Sequence, residues 1–164
     1  MITTTTEMPL AKMILVYLAT LIAGNVLAIL IETFLPNLSL PGSIGIVFAM
    51  VASMTAGGTA ATALGRSLVS REKLVFAVVA TVTSLILTLL LVWGLFAWNG
   101  APLTTTNLVV AMTGDPANTE EIAALLPWIL LAGTVLSLLI CYFAVGFGAK
   151  NQLRALERKA AKRK

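Results

Sequence analysis

SIGIVFAMVASMTAGGTAATALG, running from Ser43 to Gly65, holds fifteen Gly, Ala, Ser or Thr residues among its twenty-three. One every-fourth-residue row is small throughout: Gly45, Ala49, Ser53, Gly57, Ala61 and Gly65. Lipid tails are as apolar as leucine, so membrane helices associate where small side chains let their backbones touch. The stretch therefore reads as a helix built for close approach inside a membrane bundle. The row cannot serve one straight partner along its whole length, because each step of four drifts about 40° and the row turns through about 200°. Within it, Ala56 to Ala63 are all Ala, Gly or Thr. That half is expected to be surrounded by helices, while Ile44, Ile46, Val47, Phe48 and Met50 keep a lipid-like side on the other.

The rest of the chain fits this setting. Of 164 residues, 59% are hydrophobic and 11% charged, and the apolar residues come in long unbroken runs. A hydrocarbon core of about 30 Å takes about 20 helical residues to cross, since every backbone polar group must be satisfied within the segment. Four runs qualify, at about 13–35, 43–65, 74–98 and 122–149. Continuous runs exclude a transmembrane β-barrel, whose strands alternate over about ten residues. The fold class is all-α: an integral membrane bundle of four transmembrane helices over 1–149, followed by a basic helical tail over 150–164. Lys12 ahead of an apolar run and Val26-Leu27-Ala28 could suggest a cleaved secretory signal. The run continues through Ile29 to Ile31, which favours a full span.

All eleven Lys and Arg residues fall on one side of such a bundle. Lys12 precedes the first span, Arg66, Arg71 and Lys73 lie between the second and third, and seven follow the fourth. The opposite loops hold Glu32, Asp115, Glu120 and Glu121 at or near their edges. By the positive-inside rule both termini are cytoplasmic, which suits the inner membrane of a bacterium and a multi-pass topology. Trp98 and Trp128 fall at the outer interface and Tyr17 and Tyr142 nearer the inner one; Trp93 lies deeper and is expected to be packed. Anionic lipid at the cytoplasmic face is the expected neighbour of Arg66, Arg71, Lys73, Lys150, Arg154 and Arg158, each cation adding about 1 kcal/mol near the surface; a protein partner is the other. Because topology already accounts for the net charge of +4, nucleic acid is not an expected partner.

Between the spans, Pro36, Asn37, Ser39, Pro41 and Gly42 mark a short turn that makes the first two helices a hairpin. Residues 1–9 have nothing to bury and are expected to fray. The longest loop runs from Asn99 to about Thr119, and its Leu108, Val109, Val110 and Met112 predict a short interfacial or partner-covered element. Thr119, Glu120 and Glu121 suit a helix start. That helix meets Pro127 in its third turn, where a kink is expected, and has no breaker after Ala149.

The chain has no His, no paired carboxylates within a span, no phosphate-cradling glycine loop and no Cys-x-x-Cys. These absences remove the usual general base, zinc ligands, nucleophile arrangements and cofactor motifs, so neither an enzyme nor a cofactor is expected. Cys141 stands alone in the fourth span and reads as a small packable residue. Asn25 and Glu32, seven residues apart, share a face of the first helix. They either form a polar crevice or are structural, with Asn25 bonding across to Thr83, Ser84, Thr88, Thr134 or Ser137. A second small row, Gly133, Ser137 and Cys141, is the expected surface for the second helix. The third span offers Thr81, Ser84 and Thr88 on one side.

Gly42-Ser43-Ile44-Gly45, Gly65-Arg66 at the close of the second span and Glu72 at the start of the third resemble a family of small, uncharacterised four-helix bacterial inner-membrane proteins. The resemblance covers about residues 10–149 and implies topology without a mechanism. Arg66 and Glu72 could pair across the turn. The leading expectation is a non-catalytic protein acting through helix contacts with another membrane protein or a second copy, as accessory subunit, stabiliser or toxin-immunity factor. The alternatives are a small oligomeric channel or transporter for a cation or polar solute, with Asn25 and Glu32 at its mouth, and a lipid-binding membrane protein.

Overall fold

Each apolar run folds as a helix, and the third and fourth helices so formed outlast their runs. The structure, a computed structural model, describes residues 8–35, 44–113 and 119–162, without the side chains of Glu32, 111–113 and Thr119. The expected hairpin turn and most of the expected frayed segment lie outside the described residues. The elements are α1 (Leu10–Phe34), α2 (Ile44–Leu64), α3 (Ser70–Trp98), α4 (Thr105–Thr113) and α5 (Thr119–Ala161). No strand occurs among the described residues. α1, α2, α3 and α5 are each long and apolar enough to cross a membrane. α5 starts at Thr119, runs without a break through Pro127 and ends twelve residues past Ala149, as a sequence with no later Gly or Pro permits.

The chain divides into two compact units. The first comprises Met1–Thr81 and Ser137–Lys164, and its core is built from one stripe of each helix. α1 contributes Met13, Tyr17 and Leu21, spaced by four so that they share a face, and α2 contributes Ala52, Ser53, Ala56, Gly57, Ala60 and Ala61. Phe76, Ala77, Ala80 and Thr81 come from α3, and Cys141, Ala144, Val145 and Ala149 from α5. Tyr17 stands edge-on to Phe76, with ring centroids 5.9 Å apart at 88°, and its hydroxyl lies 3.9 Å from Cys141 Sγ. Tyr17 is thus a core residue, on the face that also carries Met13 and Leu21. α1 packs on α2, where a methyl on Gly24 would meet the Phe48 ring at 2.7 Å. Ser53 Oγ donates to Ala49 O at 2.8 Å; Thr81 Oγ1 is buried without a partner among the described residues.

The second unit, Val82–Leu136, holds the later part of α3, α4 and the start of α5. α3 closes on Gly100 at φ +65°, with Gly100 N–H donating to Ala97 O at 3.2 Å and Ala101 N–H to Phe96 O at 3.0 Å. This double bond pattern at a left-handed glycine ends a helix and turns the chain sharply; Pro102 prevents its resumption. Thr104 then caps α4, its Oγ1 accepting from Asn107 N–H at 3.2 Å. The apolar cluster expected in this loop is therefore helical, with Val109 buried. Trp93, expected to pack, is 60% exposed, because it lies on the leucine face with Leu89 and Leu90, which is open as well.

Candidate functional site

Three places in the first unit gather the features that could bear function: a glycine seam, an open polar flank on α1 and a basic end. The seam joins α2 to α5. A methyl group built on Gly57 would overlap the Val145 carbonyl, whose carbon would lie at 2.9 Å; one on Gly148 would overlap the Met54 carbonyl, its carbon at 2.6 Å. Each helix thus presents a glycine to the other's backbone, an approach that only a residue without Cβ permits. The two helices run in the same direction here, from Met50 beside Leu139 and Ile140 to Thr62 beside Asn151 and Gln152.

Only part of the small-residue row lies in this seam. Ser53, Gly57 and Ala61 are buried and Ala49 is half-buried. Gly45 meets nothing within 4 Å, because the row has turned away from the bundle by then. Gly65 also meets nothing; it holds φ +64° and terminates α2 with its N–H on Ala61 O at 2.9 Å, a conformational role and not a packing one. The half from Ala56 to Ala63 is not enclosed on every side either: Thr62 and Ala63 are exposed, and Gly58 and Thr59 line an open recess with Asn151 and Gln152. On α5, Gly133 is exposed with nothing within 4 Å, Ser137 is half-buried, and Cys141 faces Tyr17 of α1. The α5 side of the seam is instead Ala144 to Ala149, with Val145 and Gly148 at its centre. Its signal was present in the sequence as Gly146-Phe147-Gly148-Ala149, level with Ala56 to Ala63.

The polar flank is Asn25. It is exposed, and its Nδ2 donates to Leu21 O of its own helix at 2.8 Å, not across to another helix as expected. Ile22 and Ile29, on the same face at i−3 and i+4, are 47% and 61% exposed. Glu32 follows on this face in the last turn of α1, but its side chain lies outside the described residues.

At the basic end, Arg66 and Glu72 pair across the turn between α2 and α3, ahead of the apolar run that begins at Leu74. Arg66 Nη1 and Nη2 donate to Glu72 Oε2 and Oε1 at 2.9 and 2.7 Å. Glu72 Oε2 also accepts from Val69 N–H at 2.9 Å, so a third-position glutamate reaches back to the residue before the helix and satisfies an orphan donor. The Arg66 hydrogen bond, then that of Val69, holds the Glu72 carboxyl below the usual carboxylate range against the opposing effect of burial. A carboxyl lowered in the folded state supports the turn above its unfolded pKa of about 4.3 and withdraws that support as pH falls through the lowered value. Amide exchange should therefore show Val69 protected at neutral pH, less protected in Glu72→Gln, and progressively less so in the wild type as acid titrates Glu72. An unchanged Val69 rate in Glu72→Gln would remove this role.

Lys73 and Lys150 line one recess with Tyr142 and Gly146. The Lys73 stem lies across Gly146, where a Cβ would come within 3.1 Å of Cε, and its Nζ is 5.9 Å from the Tyr142 ring centroid. Arg71, Arg154 and Arg158 are exposed. Comparison with family models, curated proteins and solved structures gives no match. The chain's own geometry therefore carries the functional reading. Among the described residues no three His, Cys, Asp or Glu side chains converge to hold a metal ion.

Proposed function

We propose that this is a non-catalytic membrane protein of the bacterial inner membrane that works by helix contact within the bilayer, with both termini in the cytoplasm and a second copy or another membrane protein as its partner. The resemblance to the small four-helix inner-membrane family supports the same topology. The observation that carries the reading is the placement of Asn25. α1 spans Leu10–Phe34, so Asn25 lies about 5 Å from its midpoint at 1.5 Å per residue, deep in the hydrocarbon. Polar side chains at that depth ordinarily face the interior of a bundle. Asn25 faces outward between Ile22 and Ile29, and among the described residues its Oδ1 has no partner. A neighbouring helix supplies one: interhelical bonds of this kind average about 0.6 kcal/mol, enough to choose register and orientation while apolar packing supplies the rest.

The test is disulfide trapping in native membranes. In a Cys141→Ala background, Ile29→Cys should form a discrete cross-linked species, and adding Asn25→Leu should reduce its yield about threefold, the factor that corresponds to about 0.6 kcal/mol. Leu90→Cys, on the leucine face of α3, is the control. An Ile29→Cys protein that stays monomeric, or cross-links no more than the control, removes the reading.

A further inference from the structure

The face of α5 that flanks the glycine seam carries a second site. Phe143 and Phe147 form a ridge with an apolar groove on one side of it, about 510 Å³, walled by Met50 and Met54 of α2 and by Leu139 and Ile140. A second groove, about 470 Å³, lies between α3 and α5, walled by Leu74, Leu138 and Tyr142 with Arg71 at its edge. The two grooves share Leu139 and Phe143. The recess of Lys73 and Lys150, about 350 Å³, shares Phe143 and Phe147 with the first groove and Tyr142 and Phe143 with the second. Among the described residues the only ion pair is that of Arg66 with Glu72, so both lysines are uncompensated.

We propose that this arrangement binds one diacyl phospholipid with an anionic headgroup: the phosphate between Lys73 and Lys150, one acyl chain in each groove, Leu139 and Phe143 between them. Charge complementarity selects the occupant. Two unpaired cations at the mouth of two apolar grooves match an anion carrying two hydrocarbon chains. A partner helix, about 10 Å across, would have to straddle the phenylalanine ridge and leave both lysines facing its backbone. Gly146 is a positioning residue here, since the missing side chain is what lets the Lys73 stem lie flat and hold its ammonium beside Tyr142. The site stands apart from the α1 flank, so either can fail without the other.

Native mass spectrometry of the full chain in mild detergent reads the site directly. Phosphatidylglycerol should remain bound at one per chain at least tenfold more tightly than phosphatidylcholine of the same chain length. Lys73→Gln with Lys150→Gln should lower that binding at least tenfold, and Gly146→Leu should do so with every charge kept. Should Gly146→Leu not fold, as judged by circular dichroism, the lysine pair alone decides. Lys159→Gln with Lys162→Gln on the tail should leave binding unchanged. Equal retention of the two lipids, an equal loss in the tail variant, competition by glycerol phosphate as effective as by the diacyl lipid, or a protein cross-linked at Phe143 in place of lipid would each overturn the proposal.

Discussion

Gly57→Ala and Gly148→Ala are each expected to destabilise the bundle by about 2 kcal/mol, within the cost of over-packing a filled interior, a shift of roughly thirtyfold in the folded fraction. Gly45→Ala and Gly133→Ala are expected to be neutral or slightly stabilising. All four are glycines within helices, and alanine is intrinsically the better helix former. What separates them is the partner. The atoms that a new methyl would meet at Gly57 and Gly148 belong to the backbones of Val145 and Met54, which cannot swing aside as a side chain can. α2 and α5 must move apart, and the dispersion and Cα–H···O contacts along the seam weaken together. Because both substitutions open the same seam, the double variant should cost less than their sum. Unfolding by dodecyl sulfate in mixed micelles, followed by circular dichroism, measures all of these. Equal midpoints for Gly57→Ala and Gly45→Ala would mean that the seam does not hold the bundle.

The contrast among these glycines marks how far the sequence can be read. Spans, helix type and the long α5 follow from hydrophobic length and from the positions of Gly and Pro, because in a bilayer the backbone has few other ways to satisfy its polar groups. The Arg66 and Glu72 pairing was legible because it is local, six residues apart across one turn. Facing is not local. Gly45, Gly57 and Gly65 are indistinguishable as letters, yet one is open, one is in the seam and one ends a helix, since the 3.6-residue period carries an i, i+4 row around the helix. Tyr17 is buried and Trp93 open for the same reason: depth can be read from position along a span, but the face it presents depends on which neighbours arrive. Lys73 and Lys150 were legible as cations expected beside anionic lipid, but the recess they share with Tyr142 was not, because Lys73 and Tyr142 stand 69 residues apart on two helices.

Tyr17→Ala is the substitution expected to cost most within the core. Tyr17 is fully buried between Phe76 and Cys141. In water-soluble proteins removing a buried aromatic costs about 3–5 kcal/mol, part of it transfer to water and part the cavity left behind. In a bilayer the first part shrinks, since an unpacked side chain meets lipid as apolar as the core. The cavity term remains: at about 24 cal/mol per Å³, a void on the order of 100 Å³ costs about 2–3 kcal/mol. Tyr17→Phe keeps the ring against Phe76 and gives up the polar contacts of the hydroxyl, that with the Cys141 sulfur at 3.9 Å among them, so its cost should stay at about 0.5–1.5 kcal/mol. The two variants thereby separate packing from hydrogen bonding at one position. A void beside Phe76 and Cys141 should also admit a small apolar ligand, so saturating benzene should return part of the lost midpoint in Tyr17→Ala and change nothing in Tyr17→Phe. If Tyr17→Phe were as damaging as Tyr17→Ala, the hydroxyl and not the ring would hold α1 in place.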